Sequence, residues 1–194
     1  MKKGLKDQIE QALSGEKKAL ESVVEEVKDL IYNLSLKMLL FPEDAEDATQ
    51  EILVKIITHL STFQRKSSFQ TWVYSIASNY LITEKSRKGY RAKRISFDAY
   101  ADQIDNGQSE KVMYTNNEGE INLLEEEVKV SCTHGLLHCL NTTNRLIYIL
   151  GDVLGFNSRE AAEILKINLS FTSTRIIGID KSAFFSQEFL HFFP

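Results

Sequence analysis

Apolar residues that recur at steps of three and four are the feature of this sequence that most restricts its fold. One such stripe comprises Leu20, Val23, Val24, Val27, Leu30, Ile31, Leu34 and Met38. A second comprises Ala45, Ala48, Ile52, Leu53, Ile56, Ile57 and Leu60. Helices with such stripes bury them against one another, and Leu5 to Leu13 can add a shorter helix. We therefore expect a bundle of three or four helices across residues 1–94.

The second stripe belongs to a helix with an acidic start. Pro42 cannot continue a preceding helix, and the two carboxylates after it suit the positive end of the helix dipole. Asp47, Gln50 and Glu51 project from a face that the core does not need. These side chains suit a partner helix held by charged hydrogen bonds, and they equally suit a solvated surface.

A further amphipathic helix follows a short polar loop. Its apolar stripe is Trp72, Val73, Ile76, Ala77, Tyr80 and Leu81, which leaves on or near the open side Thr71, Tyr74, Ser75, Ser78 and Asn79. Residues 65–94 hold eight Lys or Arg and one acid, in a chain of net charge −4. Cations bind phosphates and aromatic rings stack on unpaired bases, so this basic, aromatic segment suits a single nucleic-acid strand. A core tryptophan followed by a solvated basic tail is the alternative.

The order of residues 44–79 resembles region 2 of the bacterial RNA polymerase sigma factors of the extracytoplasmic-function (ECF) group. The resemblance is carried by Asp44-Ala45-Glu46-Asp47-Ala48-Thr49-Gln50-Glu51, by Phe63, and by the run SSFQTWVYSIASN from Ser67 to Asn79. It implies that the clamp helices of the polymerase core are contacted by Asp47, Gln50, Glu51, Val54 and Lys55. It also implies that the Phe63–Phe69 loop and the following helix capture a flipped base of the melted minus-ten promoter element. The residues implied there are Phe63, Arg65, Lys66, Ser67, Ser68, Phe69, Trp72, Tyr74, Ser75, Asn79, Lys85, Arg87 and Lys88.

An acidic segment separates this part of the chain from the next. Nine acids and two lysines lie between residues 98 and 129, and the Asn106-Gly107 pair is turn material. Residues 96–122 are therefore predicted to form a linker. This linker either only solubilises the chain or also folds back over the basic segment.

The helical pattern returns over residues 123–175. The sequence GFNS leads into REAAEIL, and Ser158 is predicted to cap that helix. This run resembles the helix-turn-helix of sigma region 4, with Asn141 where the family usually has Pro. The resemblance implies contacts with the minus-thirty-five element by Arg159, Ser170, Thr172, Ser173 and Arg175.

The second half departs from the family in its charge. Residues 131–194 hold five basic and five acidic residues, and Lys166 stands where the family usually has Gly. Phosphate contacts supply much of DNA affinity, so weak binding is expected there. The tail, residues 183–194, holds five Phe, which either pack onto the second domain or bind a partner.

Other chemistry is not expected. Cys132, His134, His138 and Cys139 have ligand side chains, but Cys139 points about 100° away from its neighbour on a helix, which spoils a metal site. The sequence contains no recognisable nucleophile setting or phosphate loop, so neither a cofactor nor enzymatic activity is expected. With no signal peptide and no apolar run long enough for a membrane span, a cytoplasmic location is expected.

These observations predict an all-α protein with two small helical domains joined by an acidic linker: a region 2 domain over residues 1–95, the linker over 96–122, and a region 4 domain over 123–194. The predicted function is that of an ECF sigma factor with RNA polymerase core and promoter DNA as partners. An anti-sigma factor is implied by the family alone. The alternatives are a degenerate sigma-like regulator that binds core without reading the minus-thirty-five element, and a helical module that binds single strands without polymerase.

Overall fold

A computed structural model describes residues 3–87, 96, 102, 135 and 137–169. Within these residues every regular element is helical, which confirms the predicted all-α class. The elements are α1 (Lys3–Leu13), α2 (Lys17–Leu39), α3 (Pro42–His59), a 3₁₀ turn (Leu60–Thr62), α4 (Phe69–Arg87), α5 (Thr142–Tyr148), a π-helical turn (Ile149–Val153) and α6 (Ser158–Leu165). The predicted helices of the first half are therefore confirmed.

The sharp corner between α2 and α3 has a local cause. Leu40 adopts a left-handed conformation with φ of 66° and donates its N–H to the Leu36 carbonyl oxygen at 2.7 Å, which closes the last turn of α2. Phe41 is extended, and Pro42 occupies the first turn of α3, where no intrahelical donor is needed. The corner folds α3 back against α2.

The core of the first half forms where α2 meets α1, α3 and α4. Fully buried side chains from each helix meet there: Ile9, Ile31, Leu34, Met38, Ile52, Ile56, Phe69 and Leu81. This packing is the helical bundle that the apolar stripes predict.

The segment 137–169 packs directly onto this bundle. Helix α6 lies against α4, and α5 lies against both α4 and α2. Leu146, Ile149 and Ile164 are fully buried and belong to the same hydrophobic core as Val73 and Tyr74. Two groups of helices far apart in sequence therefore share one interior.

The predicted exposure of α4 is wrong at three positions. The sequence predicts Thr71, Tyr74 and Ser78 on or near the open side, yet all three are buried. The reason is that α4 is covered on two sides, by α2 and α3 on one and by α6 on the other. The apolar periodicity of a helix predicts one buried face, so it does not reveal a second face that is covered by another part of the chain.

The predicted cap of α6 is also wrong, by one residue. Asn157 is the N-cap: its side-chain oxygen accepts from the N–H groups of Arg159 at 3.0 Å and Glu160 at 3.1 Å. Glu160 in turn accepts the Asn157 N–H at 3.0 Å, which completes a capping box. Because Ser158 already has helical geometry, its hydroxyl does not serve as the cap.

Several predictions fall outside the described residues. These are the linker 96–122, apart from Ser96 and Asp102, and the whole of 170–194, with the predicted recognition helix and the Phe-rich tail. Cys132 and His134 lie outside as well, while Cys139 is buried. In the described part of the chain, no helix combines the length and apolar character needed to cross a bilayer.

Candidate functional site

The open face of α3 carries acidic, amide and apolar side chains together. Asp47, Gln50 and Glu51 are exposed, as the sequence predicts, and Val54 on the same face is 57% exposed. The buried residues of α3 lie on the opposite side, against α2. The open face of α3 therefore combines charged, amide and apolar groups that point away from the core.

Ile57 enlarges this surface. The apolar stripe predicts it to be buried, but it is 38% exposed, so that prediction is wrong. The six apolar stripe residues that lie on α3 span a wider arc of the helix than α2 and α4 cover, and Ile57 is at the uncovered edge of that arc. In the sequence, the exposure of Ile57 is indicated by the wide arc of this stripe alone.

Lys55 lies at the side of α3, facing α4. Its Nζ is 5.8 Å from the centroid of the Tyr80 ring, within the range of a cation–π contact. The ammonium group is thus placed between the proposed polymerase face and the helix that the resemblance assigns to DNA.

Three aromatic rings anchor the loop between α3 and α4. The ring centroids of Phe63 and Phe69 lie 5.3 Å apart, and Trp72 lies 5.4 Å from the first and 5.6 Å from the second. Phe63 and Phe69 are buried, and Trp72 is partly exposed. The two buried phenylalanines therefore anchor the loop, and Trp72 is the one partly exposed residue of the three.

Ser68 begins α4. Its Oγ accepts the Thr71 N–H at 3.0 Å and lies 2.7 Å from the Thr71 hydroxyl. This is the geometry of an N-cap, so Ser68 holds the end of the loop to the helix. Ser67 beside it is partly buried.

The cations of the loop face solvent. Arg65 and Lys66 are exposed, and Arg65 has a left-handed backbone with φ of 57°. The guanidinium of Arg65 donates to Glu10 of α1 at 2.6 Å. Both cations of the loop are therefore exposed, and Arg65 is paired with a carboxylate.

The remaining residues predicted to bind the minus-ten strand differ in their exposure to solvent. Asn79 on α4 is exposed, Ser75 is half-buried, and Tyr74 is only 1% exposed. Burial raises the pKa of Tyr74 above its ordinary value, and a hydrogen bond with Gln70 partly opposes this. Lys85 and Arg87 belong to α4 with side chains outside the description, as is the whole of Lys88.

Of the predicted minus-thirty-five residues, Arg159 is described and is exposed in the first turn of α6. Ser170, Thr172, Ser173 and Arg175 lie outside the described residues. Lys166 follows α6 in a left-handed conformation with φ of 54°. Glycine adopts this conformation without strain, so a lysine at the position where the family usually has Gly strains the backbone.

Comparisons with known proteins agree with this arrangement. The family model for sigma-70 region 2 matches residues 23–91, from α2 through α4. The ECF RNA polymerase sigma factor SigW of Bacillus subtilis is 30% identical over 182 residues, which cover 89% of this chain and 90% of that protein. The chain belongs to the ECF RNA polymerase sigma factors.

Two further relatives extend the likeness of this sigma factor. The RNA polymerase sigma-H factor of Pseudomonas aeruginosa is 24% identical over 179 residues, 90% of this chain and 91% of the relative. A solved structure of CnrH in complex with the cytosolic domain of CnrY has the same fold, with a TM-score of 0.60 at 18% identity over 89% of this chain and 90% of CnrH.

As a sigma factor, the protein directs RNA polymerase in transcription initiation. The likeness to sigma factors extends over about nine tenths of the chain rather than over region 2 alone. It therefore does not favour the alternative of a degenerate regulator.

Proposed function

We propose that this sigma factor binds the polymerase core through the open face of α3. The observation that carries the proposal is the position of Asp47, Gln50, Glu51 and the 57% exposed Val54 on the side of α3 that faces away from the core. Carboxylates and an amide supply charged hydrogen bonds to a partner helix, and Val54 with Ile57 supplies the apolar contact that excludes water around them.

The melted minus-ten strand is proposed to lie along the loop 63–68 and α4. The exposed cations Arg65 and Lys66 meet phosphates, and Trp72 and Asn79 meet an unstacked base. Phe63, Phe69 and Ser68 are proposed to position the loop rather than to touch DNA. The packed rings of the two phenylalanines and the Ser68 cap of α4 fix the shape of the loop.

The domain containing α5 and α6 is proposed to read the minus-thirty-five element, with Arg159 in a first contact. This proposal includes the division into residues 1–95, 96–122 and 123–194. It places the protein in the cytoplasm with polymerase and assigns it no catalytic role. An anti-sigma partner is proposed as well, supported by the solved complex of CnrH with a domain of CnrY.

Run-off transcription with purified core polymerase on a library of promoter fragments tests the function, with core affinity measured in parallel. The test variant is Asp47→Ala and the control is Asp29→Ala, an exposed acid on α2 rather than on the proposed face of α3. We expect Asp47→Ala to weaken core binding about tenfold or more, since truncating a charged interface contact costs roughly 2 kcal/mol. Equal losses in both variants would indicate a general charge effect and overturn the assignment of this face.

The DNA contacts are tested with Asn79→Ala. We expect it to keep core affinity but to lower transcript yield by about 5- to 150-fold, because a good base contact discriminates by about 1–3 kcal/mol. Thr83→Ala, one turn along on the same exposed side of α4, is the matched control and is expected to transcribe normally. Core binding by the unmutated chain without any transcript would support the degenerate regulator instead, and absence of core binding would leave the single-strand binding module.

A further inference from the structure

The loop between α3 and α4 holds one residue in an unusual backbone conformation. Arg65 has φ of 57°, in the left-handed region that glycine adopts freely and that costs energy in a residue with a Cβ atom. The two ends of the loop are anchored, since Phe63 is 9% exposed and Ser68 caps α4. Arg65 itself is exposed, so burial of its own side chain does not hold this conformation.

A carboxylate on α1 contacts this residue. Arg65 Nη2 donates to Glu10 Oε1 at 2.6 Å, across 55 positions of the sequence. Glu10 follows Ile9, which is 1% exposed and packs in the core of the bundle, and α1 lies along α2. The carboxylate therefore projects from an anchored helix, and it restrains a loop residue whose backbone is strained.

The Glu10–Arg65 pair biases the loop without locking it. The side chains of Arg65 and Glu10 are 46% and 51% exposed, and a charge pair open to water shifts an equilibrium by about fivefold at most. Between two loop shapes of similar energy, a bias of this size decides which one is populated more. Loss of the carboxylate is therefore expected to let Arg65 relax toward the ordinary backbone region.

The backbone at Arg65 sets the spacing between the two rings that pack on Trp72. Phe63 precedes Arg65 by two residues and Phe69 follows it by four, and their ring centroids lie 5.4 and 5.6 Å from that of Trp72. A change of φ in the middle of this short loop moves its two ends relative to each other. The partly exposed Trp72, which is proposed to meet an unstacked base, is therefore sensitive to the conformation of Arg65.

We propose that Glu10 is a positioning residue for reading the minus-ten strand. By holding Arg65, it keeps the loop in the shape that places Trp72 beside an unstacked base, and it withholds the guanidinium from the phosphates of unrelated strands. Phosphate contacts carry no sequence information whereas base contacts do, so both effects of Glu10 raise selectivity. This inference deepens the proposed function of the loop and rests on it.

Neutralising Glu10 is expected to affect matching and unrelated strands differently. A freed Arg65 gives one more cation to every strand, so affinity for an unrelated sequence rises about two- to fivefold. A relaxed loop reduces the fraction of protein that is ready to read the base, and affinity for the matching strand falls by that fraction. For the matching strand the gain and the loss offset each other, so selectivity falls.

Selectivity is measured on the holoenzyme formed by the full chain and core polymerase. The probes are a labelled minus-ten strand from a promoter that the run-off library identifies and a scrambled strand of the same composition. We expect Glu10→Gln to lower the ratio of the two affinities about two- to fivefold, whereas Asp7→Asn, at an exposed acid on the same helix, keeps the ratio. Equal gains on both strands in Glu10→Gln would mean a charge effect alone and overturn the proposal.

The dependence on Arg65 is tested in an Arg65→Asn background. Asparagine tolerates the left-handed conformation but carries no charge, so the carboxylate loses its partner while the loop shape is preserved. Glu10→Gln is expected to leave the affinity ratio unchanged in this background. A fall in the ratio as large as in the unmutated background would show that Glu10 does not act through Arg65, and would overturn the proposal.

Fluorescence of Trp72 reports the shape of the loop directly, because it is the one tryptophan of the chain. We expect acrylamide to quench this fluorescence more strongly in Glu10→Gln than in Asp7→Asn, while urea unfolding shows the two variants to be equally stable. Equal quenching in the two variants would show that Glu10 does not hold the loop.

The unmutated holoenzyme separates this inference from the proposed function. If it binds the matching and scrambled strands equally, the loop does not read the minus-ten element, and both proposals about the loop are wrong. If it prefers the matching strand and Glu10→Gln shows the same preference, the proposed function stands and the positioning role of Glu10 is wrong.

Discussion

Arg65 Nη2 lies 2.6 Å from Glu10 Oε1, so the loop proposed to hold the minus-ten strand is tied to the N-terminal helix α1. Both side chains are about half exposed, and the arginine has a left-handed backbone. A carboxylate therefore occupies the guanidinium that a DNA phosphate would use. If the loop binds the minus-ten strand as proposed, a DNA phosphate and Glu10 compete for the Arg65 guanidinium.

Glu10→Gln is expected to tighten binding of single-stranded DNA while leaving the fold intact. An exposed ion pair contributes less than about 1 kcal/mol, so stability should hardly change and affinity should rise about two- to fivefold at low salt. Fluorescence anisotropy with a labelled 12-nucleotide strand measures this, and the gain should shrink as salt screens the charges. Asp7→Asn on the same helix makes the same charge change, and an equal gain there would attribute the effect to net charge.

Ile52→Ala and Val54→Ala are expected to have opposite effects. Ile52 is fully buried, and its truncation should cost about 2–5 kcal/mol of stability while the folded fraction still binds core. Val54 is 57% exposed, and its truncation should change stability by less than about 0.5 kcal/mol but weaken core binding. Urea unfolding and core titration check both; normal core affinity in Val54→Ala would remove that residue from the proposed interface.

Asn157→Ala is expected to destabilise the chain by about 1 kcal/mol, because two N–H groups at the start of α6 lose their acceptor. Ser158→Ala, one residue later, should change the free energy of unfolding by less than about 0.5 kcal/mol. Urea unfolding of the two variants side by side makes the comparison. The reverse order would mean that Ser158 caps the helix in solution.

Tyr74→Phe is expected to reduce the loss of stability at alkaline pH. Burial raises the pKa of Tyr74 in the folded protein above the ordinary value of 10.0, so folding favours the protonated phenol. Its contribution is fully present below pH 10 and is lost as pH rises through the folded-state pKa. Urea unfolding at pH 8 and above pH 10 measures the difference, with Tyr32→Phe on α2 as the control. An alkaline loss as large in Tyr74→Phe as in the unmutated chain would contradict the expectation.

The helices of the first half follow from local sequence. Apolar spacing and Pro42 predict α1 to α3 to within a few residues, because a helix that buries one stripe leaves a clear period. The burial of Tyr74 and Ser78 does not follow, because α6, the second partner of α4, lies far away in sequence. The pair formed by Glu10 and Arg65 spans 55 positions, and no local pattern indicates it.

The functional assignments have a different basis. The resemblance to sigma region 2 selected Asp47, Gln50 and Val54, and the structure adds that they share an exposed face. The structure also adds Ile57 to this face. Its exposure depends on how much of α3 the neighbouring helices α2 and α4 cover. The roles of these residues in binding stay predictions.

The single interior shared by α4, α5 and α6 has a consequence for the lifetime of the protein in a cell. A chain whose two halves share one core unfolds as one cooperative unit, so loosening either half exposes both to proteases. Destabilising either group of helices is then expected to shorten the lifetime of both, because a protease that cuts one exposed half removes the whole chain from the folded pool.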